Sequence, residues 1–350
     1  MTVAHAWVGL MALQRLKSLR GKFDSYYGKQ VDAFLRFFDK HKDAFVQGAW
    51  FPDSVISDNL AGGHTYKLGV PKNKSEEEKA VVIKNRTPGY LSCQTLIKDE
   101  SRLNEKLYND YSYTLPDRCE ALSHSIRDMI LIQRKEPKGS DIMFNDDQIT
   151  LYFLMLSHYI ADAHVPPHCD SRDFYTPSTI HPDMESWWDK EILKYYAFDK
   201  ERKVFDYDIN GAVELKKDAK KLFETSFLCE ALKILNSRAW SPKDKEILGE
   251  GNVKIYDYLK AVCFVSYLVS TEFIPLSIPA SQYNKLKILE DRQYFDRLKQ
   301  ISSHVFADAI DSIALVWILT WDKYNKLQED IAQKKKEIAS ENKKKKKTTP

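Results

Sequence analysis

Leu151–His168, LYFLMLSHYIADAHVPPH, decides how the rest of the chain is understood. Leu151, Phe153, Leu154, Leu156 and Ile160 make its first part apolar almost all round, the composition of a helix buried inside a domain. A polar side chain on such a helix needs a partner, because losing water without gaining one is costly. His158 and Asp162 nevertheless sit there at i, i+4, so they share one face, one turn apart. Pro166-Pro167 ends the helix, since proline lacks the amide N–H and clashes with the preceding turn. The break delivers His168 to the helix mouth. Further along, in HPDMESWWDKEIL, His181 and Glu185 repeat the i, i+4 spacing. Two imidazole–carboxylate pairs and His168 thus crowd into a stretch that otherwise reads as core. That combination is metal-site chemistry.

Outward from this stretch, apolar residues recur at 3.6-residue spacing and predict an all-α protein. A first helix carries the stripe Val3, Trp7, Leu10, Leu13 and Leu16. Others are predicted over 31–45, 88–97, 116–133, 215–235, 253–276 and 288–327. The segment QGAWFPDSVISDNLAGGHTYKLG (47–69) is punctuated by Gly48, Pro52, Gly62 and Gly63, so it reads as an irregular loop. Residues 70–84 read as a charged surface excursion, with at most a minor hairpin at AVVIK (80–84).

At 350 residues and 43% hydrophobic content the chain can bury a large core. A single helical domain is expected over 1–335, followed by a disordered basic tail over 336–350. Net charge is only +3 because those lysines offset a mildly acidic body. The tail reads as a solvated end; the competing reading is attraction to anionic lipid, as a peripheral membrane contact, or to nucleic acid. No signal peptide is expected, since MTVAHAWVGLMALQRLKSLR has its basic residues after its apolar ones. The apolar run Tyr258 to Ile278 contains Lys260, Glu272 and Pro275 and reads as a core helix, so no transmembrane segment is expected. The five cysteines are scattered and form no CxxC, which suits a reducing compartment, and the cytoplasm is the default.

Histidines outside the central stretch divide in two. His124/Asp128 and His304/Asp308 read as ordinary helix pairs, and His41 as a surface residue. His168, His181 and Glu185 can make an open three-ligand site, whereas His158 and Asp162 need further ligands. Asp53 and His64 in the 47–69 segment, and His5 on the first helix, are the candidates. Spacing alone does not tie them to His158, and a helix cap or loop hydrogen bond explains each as well. Asp170 and Asp173 read as solvated loop residues. Tyr66, Tyr159, Tyr175, Trp187 and Trp188 fit either a cleft wall or the core.

HYIADAHVPPH resembles the His-x3-Asp-x5-His signature of the zinc-dependent phospholipase C and single-strand-specific nuclease superfamily, matched by His158, Asp162 and His168. Its second His-x3-acid pair is matched by His181 and Glu185, its loop Pro-Asp and following histidine by Asp53 and His64, and its N-terminal histidine by His5. The resemblance is specific over 151–190 and thinner elsewhere. It implies a multi-helix bundle around a cleft holding two or three Zn²⁺. By that resemblance Asp53, His64, His158 and Asp162 hold the first ion, and His168, His181 and Glu185 the second. His5, a bridging Asp162 and the N-terminal amine and carbonyl would hold the third. Secreted members present an N-terminal tryptophan to that ion, whereas Trp7 here follows His5. Twelve residues between His168 and His181, no Gly-Gly-Asn and a final glutamate are similar to the phospholipase C branch rather than the nuclease branch.

The implied activity is hydrolysis of a phosphate ester, such as that of a phospholipid head group, by metal-activated water. Clustered zinc lowers the pKa of bound water toward ~7 and neutralises phosphoryl charge. Asp53 has two candidate roles, zinc ligand and general base. A nuclease or nucleotidase on the same scaffold, and a helical binding protein with structural metals, are the alternative expectations.

Overall fold

Helix forms along most of the chain in the computed structural model, which describes residues 2–22, 25–57, 62–70, 88–104, 107, 114–135, 144–208, 211–238 and 254–347. In order come α1 (Thr2–Leu19), α2 (Ser25–Phe45), α3 (Pro88–Thr95), α4 (Leu115–Lys135), α5 (Asp146–Ala163), α6 (Pro166–Cys169) and α7 (Ile180–Tyr195). A small hairpin, β1 (Phe198–Asp199) and β2 (Val204–Phe205), is followed by α8 (Lys220–Phe223), α9 (Phe227–Ser237), α10 (Ile255–Phe273) and α11 (Arg292–Lys347). The protein is all-α.

The central helix α5 starts at a reciprocal cap. Asn145 accepts from Gln148 N–H, and the Gln148 side chain accepts from Asn145 N–H, which satisfies two amides that helix geometry orphans. Ile149, Phe153, Leu154, Leu156 and Ile160 are all buried, because α1, α2, α4 and α11 pack around α5. Aromatic rings weld three of these helices together. Phe38 of α2 stacks on Trp317 of α11 at 4.9 Å, Phe34 meets Phe153 edge-on at 5.2 Å, and Trp317 Nε1 donates to Phe153 O at 2.9 Å.

A buried ionic network ties distant segments to α11. Arg15 of α1 donates to Asp311, and Arg238 at the end of α9 donates to both Asp311 and Asp308. The second Asp308 oxygen accepts from Cys93 N–H of α3. The stretch Arg292–Lys323 of α11 is long and apolar enough to cross a membrane, but 94% of its apolar window is covered by the rest of the protein. That burial gives its apolar surface a partner without lipid.

Four expectations change. The 47–69 segment is not wholly irregular, since Val46–Trp50 forms a 3₁₀ turn and Pro52–Ile56 a π turn. The 215–235 stretch is no continuous helix: α8 is a single turn, and Ser226 opens α9 by accepting from Cys229 N–H. Residues 198–205, for which no strand is expected, form a hairpin in which Asp199 folds the turn by accepting from the amides of Glu201 and Arg202. The last helix runs on to Lys347, across much of the segment whose composition reads as a disordered tail; lysine, glutamate and alanine are strong helix formers, and propensity extends the helix. The 80–84 segment lies outside the described residues.

Candidate metal centre

Six segments meet at the C-terminal end of α5. α1 contributes His5, the π turn Asp53, the segment after Gly62-Gly63 His64, α5 itself His158 and Asp162, and α6 with α7 supply His168, His181 and Glu185. All eight candidates come together. They form three groups, His5–His158–Asp162, Asp53–His64–His158 and His168–His181–Glu185, each with ligand atoms close enough to hold a metal ion. The first two groups share His158.

Asp162 is the junction. Its Oδ1 lies 3.3 Å from His5 Nε2, and its Oδ2 lies 2.9 Å from His64 Nδ1, 3.3 Å from His158 Nε2 and 3.8 Å from His168 Nδ1. Asp53 Oδ1 closes the second group at 3.5 Å from His158 Nε2 and 3.6 Å from His64 Nδ1. In the third group, Glu185 Oε1 lies 2.8 Å from His181 Nε2 and 3.3 Å from His168 Nε2. Asp53 has a 40% exposed side chain while Asp162, His158 and His64 are buried, so Asp53 marks the open side.

Backbone carbonyls fix which imidazole nitrogens face inward. His158 Nδ1 lies 2.8 Å from Ala49 O, and His168 Nδ1 lies 2.8 Å from His64 O. A carbonyl oxygen only accepts, so each Nδ1 carries the proton and each Nε2 presents a lone pair when the ring is neutral. Ala49 O can reach His158 because Gly48 lies hard against α5. A Cβ at Gly48 would sit 2.7 Å from Leu151 Cδ1 and 2.9 Å from Leu151 O.

With Nδ1 committed to a carbonyl, a neutral His158 or His168 turns its Nε2 lone pair toward carboxylate oxygens, an arrangement that a cation relieves. His158 Nε2 faces Asp162, Asp53 and, at 3.1 Å, His64 Nδ1. In metal-free protein that cation is a proton. Burial works to lower the His158 pKa, but Asp162 and Asp53 outweigh it and carry it up to about 10. His5 goes the other way, to about 4, because burial and the neighbouring His158 charge outweigh Asp162. Burial opposes ionisation of Asp162 and Glu185 too, yet the surrounding histidines hold both well below the usual carboxylate range. His5 Nδ1 is buried with no hydrogen-bond partner among the described residues. Five imidazoles and three carboxylates, with the Nε2 lone pairs of neutral His158 and His168 turned inward, fit divalent cations.

Other sequence expectations sort themselves by contact. Tyr159 stands against His64 and His158, and the exposed Tyr175 stands against His181, so both line the site. Tyr66, Trp187 and Trp188 are core residues. Neither ordinary helix pair forms as expected. His124 pairs with Glu120 one turn earlier and Asp128 with Arg127, while Asp308 is taken by Arg238. Asp170 is not solvated. It is fully buried, bonded to Arg172 and Ser270 Oγ, and braces the turn after His168. Asp173 is exposed, as a loop residue should be. The N-terminal amine lies outside the described residues. Sequence reasoning also passed over Lys67 and the Ala49 and His64 carbonyls; a backbone acceptor leaves no trace in residue identity, and a single lysine no pattern.

Compared with protein-family models, with curated proteins and with solved structures, the chain finds no match. What fold and site define together is an all-helical protein with adjoining histidine–carboxylate groups able to hold metal ions.

Proposed function

We propose that the chain is a zinc-dependent phosphodiester hydrolase of the phospholipase C type. The observation that carries this reading is the sharing of His158 between two ligand groups, with Asp162 in contact with histidines of all three, which sets the groups side by side at a half-open site. Tetrahedral zinc with bonds of ~2.0–2.1 Å keeps its ligand atoms roughly 3.3 Å apart. The contacts of His158 Nε2 with Asp162, Asp53 and His64, at 3.3, 3.5 and 3.1 Å, are of that size. Absence of thiolates among the ligands and the imidazole–carboxylate donor set favour the same ion.

When bound, zinc supplies Lewis acidity toward water and toward phosphoryl oxygens. The chain's own residues do the rest. Ala49 O and His64 O hold two rings in the tautomer that turns Nε2 inward, as carbonyls behind metal-binding imidazoles generally do. Asp53, on the exposed side with its pKa held low against burial by His158, is placed either to complete the ligand set or to accept a proton from water entering the site. Glu185 rather than aspartate, with the short His168–His181 gap, favours a phospholipid-type ester over nucleic acid.

The test is metal analysis followed by turnover. Protein purified without added zinc should carry two or three Zn per chain and hydrolyse a phosphocholine ester or a generic phosphodiester. Chelation should abolish turnover and Zn²⁺ restore it. His158→Ala should lower kcat/KM by about a hundredfold to a thousandfold, the scale seen when a transition-state charge stabiliser is lost; a variant with full activity refutes the proposal. Parallel assays on phospholipid vesicles and single-stranded nucleic acid identify the substrate class.

A further inference from the structure

Lys67 lies on the segment that pairs with the His168 turn, and no metal group uses it. Tyr66 N–H donates to His168 O at 3.2 Å, Leu68 N–H to Cys169 O at 2.9 Å, and Ser171 N–H to Leu68 O at 2.9 Å. Side chains alternate along an extended segment. Tyr66 and Leu68 are buried in the core, which turns Lys67 to the opposite side, where it is only partly buried. There its Nζ donates to Pro167 O at 2.6 Å, the residue immediately before His168. Its charge also reaches His181 and opposes protonation of that ring.

One carbonyl occupies one of the three N–H donors of an ammonium. Burial lowers the Lys67 pKa and the Asp170 and Asp173 charges work against that, but neither carboxylate forms an ion pair with it among the described residues. Asp170 is committed to Arg172 and Ser270, and Asp173 to the amides of Tyr175 and Thr176. A half-covered cation with spare donors, beside a metal-ligand group and without a carboxylate partner among the described residues, gains most from an anion that enters the cleft.

We propose that Lys67 forms an oxyanion subsite next to His168, His181 and Glu185, its free N–H groups taking a phosphoryl oxygen of the substrate. This rests on the phosphodiester reading above and adds a specificity residue on the chain itself. The subsite favours esters with a second anionic oxygen free of metal, so a phosphate ester should bind better than a neutral carboxylic ester of similar shape.

The experiment is calorimetric titration of inorganic phosphate into the zinc-loaded full chain. Lys67→Met should weaken binding by about tenfold to a hundredfold, the range for a hydrogen bond to a charged group, and Lys67→Arg should retain affinity. Lys67→Gln keeps an N–H for Pro167 O but removes the charge, so it separates a structural tie from an anion contact and should weaken phosphate binding like Lys67→Met. Zinc content and melting temperature of the Gln variant should match wild type, and its KM for a phosphodiester should rise more than its kcat falls. A Gln variant that binds phosphate as tightly as wild type, or that weakens only in proportion to lost zinc, overturns the subsite. Phosphate binding needs no turnover, so the two proposals fail separately. Wild type that binds phosphate through Lys67 without hydrolysing any ester refutes only the hydrolase, and hydrolysis indifferent to Lys67→Gln refutes only the subsite.

Discussion

Loading the site with zinc should expel protons, and the structure says from where. His158 Nδ1 is committed to Ala49 O, so the proton that distinguishes imidazolium from imidazole sits on Nε2, the nitrogen facing Asp162 and Asp53. With its pKa at about 10 in the metal-free protein, that ring is fully protonated at pH 7. A ligand must be deprotonated, so three pH units at ~1.4 kcal/mol each oppose zinc by about 4 kcal/mol at pH 7. His168, raised against burial by Asp162 and Glu185, adds a further release, while His5 at about 4 is already neutral and adds none. Titrating zinc calorimetrically in two buffers of different ionisation enthalpy should give between about one and two protons per chain at pH 7. Apparent affinity should climb roughly tenfold per pH unit between 7 and 9. The metal-free protein should move oppositely. A folded pKa raised above the ordinary histidine value contributes stability that is full below pH 6.5 and lost as pH rises through about 10. Alkaline pH should therefore lower the melting temperature of metal-free protein and leave zinc-loaded protein much less affected. Zinc binding with no proton release at pH 7 would refute the assignment of His158 Nε2 as both proton holder and ligand.

Two further predictions concern the frame around the site. Gly48→Ala places a methyl 2.7 Å from Leu151 Cδ1 and 2.9 Å from Leu151 O. It should cost about 1–3 kcal/mol in urea unfolding, as overpacking does, and should weaken zinc binding by displacing Ala49 O; an alanine tolerated without loss contradicts the close approach. Arg238→Met leaves the buried Asp308 without its cation, and removing one partner of a buried pair costs about 3–5 kcal/mol. Burial already lifts Asp308 to about 7 despite Arg238, so wild-type stability from this group falls as pH rises from ~4 to about 7. Without Arg238 that fall should extend to higher pH, making the loss greater at pH 8 than at pH 6; equal losses at both would show that Asp308 does not carry the effect.

How far the sequence discloses such a site depends on whether its parts are local. His158/Asp162 and His181/Glu185 are legible because helix geometry converts i, i+4 into adjacency, and an apolar surround makes the polar pair anomalous. The same spacing misleads at His124/Asp128 and His304/Asp308, where Glu120 and Arg238 offer nearer charges. His5, Asp53 and His64 cannot be joined to His158 by spacing, since their distances in sequence say nothing about the packing of α1 and the π turn on α5; only likeness to a known motif suggested them. Ala49 O, which sets the tautomer of His158, is invisible in any residue pattern, although its enabling residue Gly48 was read as loop punctuation. Asp170 fails for the complementary reason. Its neighbours are polar and look solvated, and the covering elements that bury it, Ser270 of α10 and the Leu68 segment, arrive from far along the chain. Local periodicity therefore reports which residues a helix brings together, and long-range packing decides which of those meetings occur at a site.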